Sequence, residues 1–311
     1  MPIDPINDAA IELRYSGSYS RRDRTLHVSH DAGFFSNCTV AVRNLHELQQ
    51  KHGIVPSDID FSGSFLGYRT GALLAQSDPY DRFFRRNRIN AGALKIPYLR
   101  HHGIYSLLRH SQTRPLIDRF FVPSSEVFER KRQLIVEHQI DLAKTVAVVY
   151  RGTDKASEVV LAPPKKYIDR TSRILDELPD HRVWIQTDQR SVRDAFLDHF
   201  GDRCFFVGEM PVTDKDTAVH LNPEELTHDP ADFGVLLLAV VLSVAGASYV
   251  VNHTGNMALW VCLYRGNSHR MDQFAADGSL VNWRNPRFLV GAARQLRTKL
   301  PGFSDDAQET K

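Results

Sequence analysis

Cysteine is scarce in this chain: three in 311 residues, and Cys38, Cys204 and Cys262 stand far apart with no C-x-x-C pair. An odd, scattered set supports neither a disulfide framework nor a thiolate zinc site, and it fits a reducing, cytoplasmic setting. Strong charge of one sign is also missing, because 39 Lys and Arg face 37 Asp and Glu for a formal net charge of +2. That balance argues against a nucleic-acid binder working through bulk charge. Residues 1–7 contain neither a basic n-region nor an apolar h-region, so no secretory signal is expected. No G-x-G-x-x-G, G-x-x-x-x-G-K-[ST] or G-x-S-x-G sequence occurs, which leaves a dinucleotide oxidoreductase, a P-loop enzyme and a serine hydrolase without positive support. One long uncharged run exists, the nineteen residues from Phe233 to Val251. It approaches the length of a bilayer span, but Ser243, Gly246 and Ser248 interrupt it and its end turns β-branched and aromatic. A buried helix followed by a buried strand is therefore expected, with no transmembrane span and with peripheral membrane contact left open.

What is present is globular material, 42% hydrophobic and 24% charged, long enough for two domains of roughly 150 residues each. The first twenty or so residues show no clear periodicity and read as an arm. Thr25 to His30 alternates like a strand, Cys38 to His52 carries apolar residues at helical spacing, and Asp58 to Phe61 reads as a strand again, which is the opening of an α/β unit. Ser124 and Ser125 after Pro123 can cap a helix to about Glu137. Thr145–Tyr150 (TVAVVY) is a short continuous apolar run, hence a central parallel strand covered on both faces. Beyond it, Tyr167–Leu178, Ser191–Phe200 and Phe233–Ala245 read as helices alternating with strands at Arg182–Gln186, Cys204–Val207 and Ser248–Asn252, the signature of β-α-β crossovers. Asn285–Leu300 reads as a terminal helix, with a polar tail after it. The expected division is an N-terminal Rossmann-like domain over 1–138, a C-terminal Rossmann-like domain over 139–284, and the helix and tail over 285–311.

Charge is uneven locally. From Arg82 to Arg132, twelve Lys and Arg stand against three acids, which suits either a solvated helical face or contact with an anionic partner. The D-x-D pairs, Asp58 with Asp60 in a strand and Asp214 with Asp216 in a polar loop, do not read as metal sites, since a hard cation needs carboxylates converging at a ligand cleft.

In an open α/β sheet, ligands collect beyond the carboxyl ends of the strands. Three such loops carry chemistry here: Arg151-Gly152-Thr153-Asp154-Lys155, Thr187-Asp188-Gln189 and His253-Thr254-Gly255-Asn256. Arg151 offers a guanidinium fork for phosphate oxygens and Lys155 a second positive charge. Thr254, Gly255 and Asn256 offer hydroxyl and backbone donors at a helix N-terminus. Asp188 stands at its loop either as a ligand-side carboxylate or as a helix cap. The set suits a diphosphate held without a metal.

These three motifs, RGTDK at 151–155, WIQTDQ at 184–189 and an apolar helix and strand ending in HTGN at 253–256, resemble in order and spacing those of the α1,6-fucosyltransferase and protein O-fucosyltransferase superfamily, including its bacterial Nod-factor-type members. The loop from Asp31 to Asn37 resembles that superfamily's Gly-rich loop. The resemblance covers about residues 25 to 270 and implies an α/β fold of GT-B type, two Rossmann-like domains facing a cleft. It implies that Arg151 meets the donor's β-phosphate, that Asp154 and Lys155 steady its loop, and that Asp188 lies by the nucleotide. It further implies that Gly33 and Phe34 belong to the donor-side glycine loop, that Gly255 and Asn256 bind the diphosphate, and that His220 sits in the nucleotide-side histidine loop. The chain departs from the family at Gly152, where core-fucosylating members have a second arginine, at Val149, where they have histidine, and at Ala239, where a guanine-reading aspartate is expected.

Sugar transfer from a nucleoside diphosphate builds negative charge on the departing β-phosphate, which a fixed arginine can stabilise in place of a metal. The acceptor hydroxyl must lose a proton. Glu158, just past the RGTDK loop, is the candidate general base, and Asp31 is the other. The expectation is an inverting, metal-independent glycosyltransferase with GDP-fucose as co-substrate, a glycan or other hydroxyl acceptor, and no cofactor. The departures keep three alternatives open: another nucleotide sugar, a non-catalytic nucleotide- or carbohydrate-binding module of the same fold, and an anionic-polymer binder using residues 82–132.

Overall fold

A computed structural model of the chain describes residues 10–69, 78–87, 94–153, 158–215, 217, 219, 226 and 229–281. It opens with a four-stranded sheet in the order β1 (Ile11–Leu13), β2 (Gly17–Ser20), β3 (Thr25–Val28) and β4 (Asp58–Asp60). The first two pairs are antiparallel, and β3 pairs parallel with β4 through the intervening helix α1 (Phe34–His52). Residues 11–20 thus form a hairpin where an arm was expected. Its strands are only three and four residues long, too short to show a period, yet Leu13 and Tyr19 are buried in the core.

Irregular chain, the short helix α2 (Tyr80–Phe83), and a two-strand ribbon of β5 (Phe84–Arg85) with β6 (Val122–Pro123) follow. Helix α3 (His110–Phe120) precedes β6 and α4 (Ser125–Glu137) follows it. Ser124 caps α4 as expected, its Oγ accepting from Val127 N–H at 3.3 Å.

The second sheet is all parallel. It contains β7 (Thr145–Tyr150), β8 (Arg182–Thr187), β9 (Cys204–Phe205), β10 (Tyr249–His253) and β11 (Met271–Phe274), in the order β11-β10-β7-β8-β9. Helices α5 (Pro164–Glu177), α6 (Arg190–Phe200), α7 (Pro230–Gly246) and α8 (Asn256–Arg265) make the crossovers. The expected α/β class holds, with the qualification that the N-terminal sheet carries a single β-α-β unit among the described residues. All six residues of β7 are buried because helices cover both faces.

Helix α7 is apolar around nearly its whole circumference, which is why it reads as a membrane-length run, and it is buried against α4 and α8. Asp229 caps it, accepting from Ala231 N–H at 2.9 Å, and the chain turns at Ala247 into β10. The helix-then-strand expectation is met, and no helix of the described residues is long and apolar enough to cross a membrane.

One face of the parallel sheet, Ala147, Val149, Trp184 and Val250, joins a core that also contains α1, α7, α8 and the N-terminal sheet. The other face, Val146, Val148, Val183, Ile185 and Val251, packs under α5 and α6. A single apolar core therefore crosses from the N-terminal to the C-terminal half. The three cysteines are free and buried, and burial pushes the thiols of Cys204 and Cys262 up to about 12. The basic run from Arg82 to Arg132 proves to be substantially paired, much of it with acids outside its own stretch. Arg82 meets Glu126 and Asp232, Arg86 meets Asp58, Asp78 and Asp81, and Arg130 meets Glu137 and Glu209. Asp60, expected to be buried among apolar groups, accepts from His27 Nδ1 at 2.8 Å and is only partly covered. The expected terminal helix at 285–300 lies outside the described residues.

The two halves are joined by a buried polar contact in which Trp260 Nε1 donates to Thr39 Oγ1 at 3.0 Å, while Thr39 donates to the Phe35 carbonyl at 2.8 Å. Thr39→Val leaves the indole N–H buried without an acceptor, so unfolding free energy in urea should fall by about 1–3 kcal/mol. Thr39→Ser keeps the acceptor and should recover part of that loss. Equal stability of wild type and the Val variant would show that the contact contributes nothing.

Candidate active site

The strand order reverses at β7. From β7 the sheet grows through β8 to β9 on one side and through β10 to β11 on the other, so the crevice between the ends of β7 and β10 is the switch point where such sheets take ligands. Arg151 leaves the end of β7, and Thr254 and Gly255 leave the end of β10. The sequence motifs at 151–153 and 253–256 therefore flank one opening.

Asp188, at the end of β8, organises the first of these loops. Its carboxylate accepts from Arg151 Nε at 3.1 Å, from the Gly152 N–H at 3.1 Å and from Thr153 Oγ1 at 2.8 Å. It does not cap α6: the residue at the cap position is Gln189, which makes no capping hydrogen bond. Arg151 is about three-quarters buried, with 24% of its side chain exposed. Gly152 backs onto Gln189 and Tyr150, and a β-carbon there would overlap the Gln189 carboxamide and lie 2.8 Å from the Tyr150 ring. A second arginine could stand at 152 only if Gln189 moved aside. Asp154 and Lys155 lie outside the described residues, as does His220.

The second loop is held from across the molecule. Thr254 Oγ1 donates to the His101 carbonyl at 3.0 Å, and the Gly255 N–H donates to the Tyr105 hydroxyl at 2.8 Å. That hydroxyl also lies 2.7 Å from the Gly255 carbonyl and 2.8 Å from the His101 carbonyl, so its one proton serves one of the two. Burial pushes the Tyr105 phenol far up, against the opposing effect of its hydrogen bond to Gly255, and the hydroxyl stays protonated. Tyr105 N–H donates to Gln273 Oε1 at 2.9 Å, and Gln273 Nε2 donates back to the Gly103 carbonyl at 2.7 Å. The expectation that the Gly255 N–H faces a diphosphate needs correcting for this arrangement, because Tyr105 already occupies it. Asn256, the first residue of α8, keeps a buried Oδ1 without a partner.

The Gly33 loop behaves differently from the expectation. Gly33 precedes α1 and its carbonyl accepts from Ser36 and Asn37. Phe34 is 1% exposed and packs among Phe35, Phe65, Tyr68 and Phe83, while its N–H donates to the Tyr68 hydroxyl. An aromatic side chain with this packing is a core anchor, so the expectation that Phe34 contacts the donor is corrected. Asp31 is exposed.

Glu158 meets His102, with Oε2 3.5 Å from Nε2. The ligand atoms of His101, His102 and Glu158 lie within 4.8 Å of one another, a spacing compatible with a divalent cation. The donor chemistry opposes one, however. Arg43 Nη2 lies 3.1 Å from His101 Nδ1, and since a guanidinium only donates, that nitrogen is the acceptor and a neutral ring carries its proton on Nε2. His101 then has no lone pair for a metal. A second grouping, Glu137, His138 and Glu209, already holds the Arg130 guanidinium, 3.2 Å from Glu209. The residues that reasoning from sequence did not single out are His101, His102 and Tyr105, and the HHGIY stretch carries no motif that would have marked them.

No protein-family model matches the chain, and no curated protein matches it. Solved structures resemble it at low identity. Fucosyltransferase NodZ from Bradyrhizobium shares 14% identity over 83% of this chain and 97% of that one, with a TM-score of 0.45. NodZ alpha-1,6-fucosyltransferase soaked with GDP-fucose shares 16% over 85% and 100%, with a TM-score of 0.48. The same enzyme co-crystallised with GDP gives 16%, 83%, 97% and 0.45. At this distance nothing about the chemistry of the present chain follows from the likeness.

Gly255 has φ 151° and ψ 169°, a region essentially confined to glycine, and a β-carbon there would stand 3.2 Å from His253 Nε2. Gly255→Ala should therefore lower stability by about 1–3 kcal/mol in denaturant titration. A variant as stable as wild type would show that the loop adopts another conformation.

Proposed function

We propose that this chain is an inverting, metal-independent glycosyltransferase that moves a sugar, with GDP-fucose as the first donor to test, onto a hydroxyl of a glycan or other acceptor. The observation that carries this reading is the position of Arg151 at the switch-point crevice, three-quarters buried and gripped by Asp188. The motif resemblance at 151–155, 184–189 and 253–256 supplies the substrate class. In this reading residues 139–284 form the donor side and residues 1–138 the acceptor side.

The chemistry asks for positive charge where the diphosphate departs. Arg151, fixed before the reaction, stabilises charge developing on the β-phosphate more than it stabilises the ground state, and that difference lowers the barrier. Asp188 partly offsets its charge but removes its freedom, so little reorganisation is needed when the phosphate arrives. Thr254 and Asn256 flank the diphosphate at the N-terminus of α8, while Tyr105 holds Gly255. Asp154, Lys155 and His220 complete the donor side in the same reading. Glu158 takes the proton of the acceptor hydroxyl as that oxygen attacks the anomeric carbon from the face opposite the leaving group, which inverts the configuration.

Arg151→Ala should reduce release of GDP from GDP-fucose by about 10²–10³-fold, the range for losing one fixed donor to an oxyanion, with the melting curve largely retained. Arg151→Lys should recover little, because an ammonium cannot both engage Asp188 through Nε and present a fork to phosphate. Undiminished turnover in the Ala variant would remove Arg151 from the mechanism.

Metal removal tests the other half of the reading. Dialysis against EDTA should leave the rate unchanged, and loss of rate restored by Mn²⁺ would overturn metal independence. A donor panel read by free nucleoside diphosphate separates GDP-fucose from other sugar nucleotides, and nucleotide binding without turnover would favour the non-catalytic alternative.

A further inference from the structure

We infer that His102 is a positioning residue for Glu158, a contact supplied by the N-terminal half that orients the carboxylate acting on the acceptor hydroxyl. The inference rests on the transferase reading above and names a residue that reading does not use. Its basis is geometric. His102 Nε2 lies 3.5 Å from Glu158 Oε2, with both side chains about one-third exposed, so the pair is reachable by an acceptor yet partly withdrawn from water.

The tautomer follows from the surroundings. His102 Nδ1 is buried and has no partner among the described residues, so an N–H placed there would go unmet, and the ring proton belongs on Nε2, facing the carboxylate. The neighbouring His101 ring lies 3.9 Å away between centroids and is itself held by Arg43. Arg43 in turn donates from Nε to the Leu99 carbonyl at 3.2 Å. The charged and titratable neighbours on the page are thus His101 and Arg43 on the N-terminal side and Glu158 on the other.

The platform under His102 is rigid where a loop of this kind could have been loose. The His101 carbonyl receives Thr254, the Gly103 carbonyl receives Gln273, Tyr105 N–H reaches Gln273, and the Tyr105 hydroxyl reaches Gly255. Residues 101–105 are therefore anchored to the ends of β10 and β11, and His102 rides on that anchorage to the rim of the same crevice. A base mounted in this way keeps its lone pairs aimed. As the acceptor oxygen bonds to the anomeric carbon, its proton passes to a carboxylate oxygen of Glu158. The bond from the anomeric carbon to the β-phosphate oxygen breaks, with its electron pair leaving on the diphosphate. His102 keeps its proton throughout and gives up no atom.

The test uses the full chain and GDP-fucose, with GDP release measured to water and to a panel of oligosaccharides. His102→Ala should lower kcat by about tenfold or more, toward the 10²-fold that misplacement of a reacting group can cost. KM for the donor and thermal stabilisation by GDP should be unchanged. His102→Gln, which presents an amide N–H at similar reach, should restore most of kcat. In a Glu158→Ala background, His102→Ala should cost no further rate. Three results would overturn the inference: kcat unaffected in His102→Ala, no rescue by Gln, or a full additional loss on top of Glu158→Ala. If wild type turns over normally and one of these appears, this inference alone fails. If wild type neither binds nor cleaves any donor, the transferase reading fails and takes the inference with it.

Discussion

The constraint on which the site depends is topological. Because β10 lies beside β7 while β8 lies on its other side, the chain must leave β7 and β10 in ways that open a gap above the sheet, and no side chain has to create it. The residues then decide what the gap is for. Asp188 draws three donors of the 151–153 loop onto one carboxylate, and the wall opposite is formed by a glycine whose backbone angles only glycine adopts readily. The Tyr105 hydroxyl closes the remaining side by meeting Gly255 from a position 150 residues away in sequence. Each contact is modest alone, worth on the order of 1 kcal/mol, and their shared effect is to hold the loops at fixed positions.

Much of the fold is legible because strong local signals coincide with the tertiary outcome. TVAVVY can only be a strand buried on both faces, and it is one, residue for residue. Ser124 before an amphipathic stretch announces α4 and its start. Signals fail where burial is set by distant partners. The opening hairpin is too short for a period to show. β11 reads MDQF, which is polar, and is stabilised by Arg170 on Asp272 and by Gln273 reaching the 103–105 segment. Helix α3 contains Pro115 in its first half and few apolar residues, so its pattern is faint even though Leu116, Ile117 and Phe120 are buried.

The site was legible on one side only. The three strand-end loops follow from where strands stop, and the structure brings Arg151 and Asp188 into contact and sets Thr254 and Gly255 across the opening. The covering segment 101–105 could not be read, since nothing in HHGIY says that a histidine carbonyl will receive Thr254 or that a tyrosine hydroxyl will sit against a glycine peptide. Phe34 shows the converse error, in which a motif position was taken for a ligand contact although its neighbours, Phe35, Phe65 and Phe83, make it an aromatic core. Glycine-rich loops serve packing as readily as ligands, and the residue after the glycine tells which only once its partners are known.

That the N-terminal half supplies the lid of the crevice bears on how the two halves can move. A two-domain transferase with separate cores can open widely by hinge motion. Here α1 and the first sheet share an apolar core with α7 and α8, and separating the halves would expose Phe35 and Trp260, which stack at 6.1 Å, along with the Thr39–Trp260 hydrogen bond. Full burial of one large apolar side chain is worth about 1.5–3 kcal/mol, so parting several such contacts at once costs far more than thermal motion supplies. Access to the crevice must then come from smaller displacements at its rim, where Arg151, Glu158 and His102 each keep about a quarter to a third or more of their side chains in solvent. The arrangement favours a site assembled in advance over one completed by closure, in keeping with chemistry that relies on a guanidinium already in place.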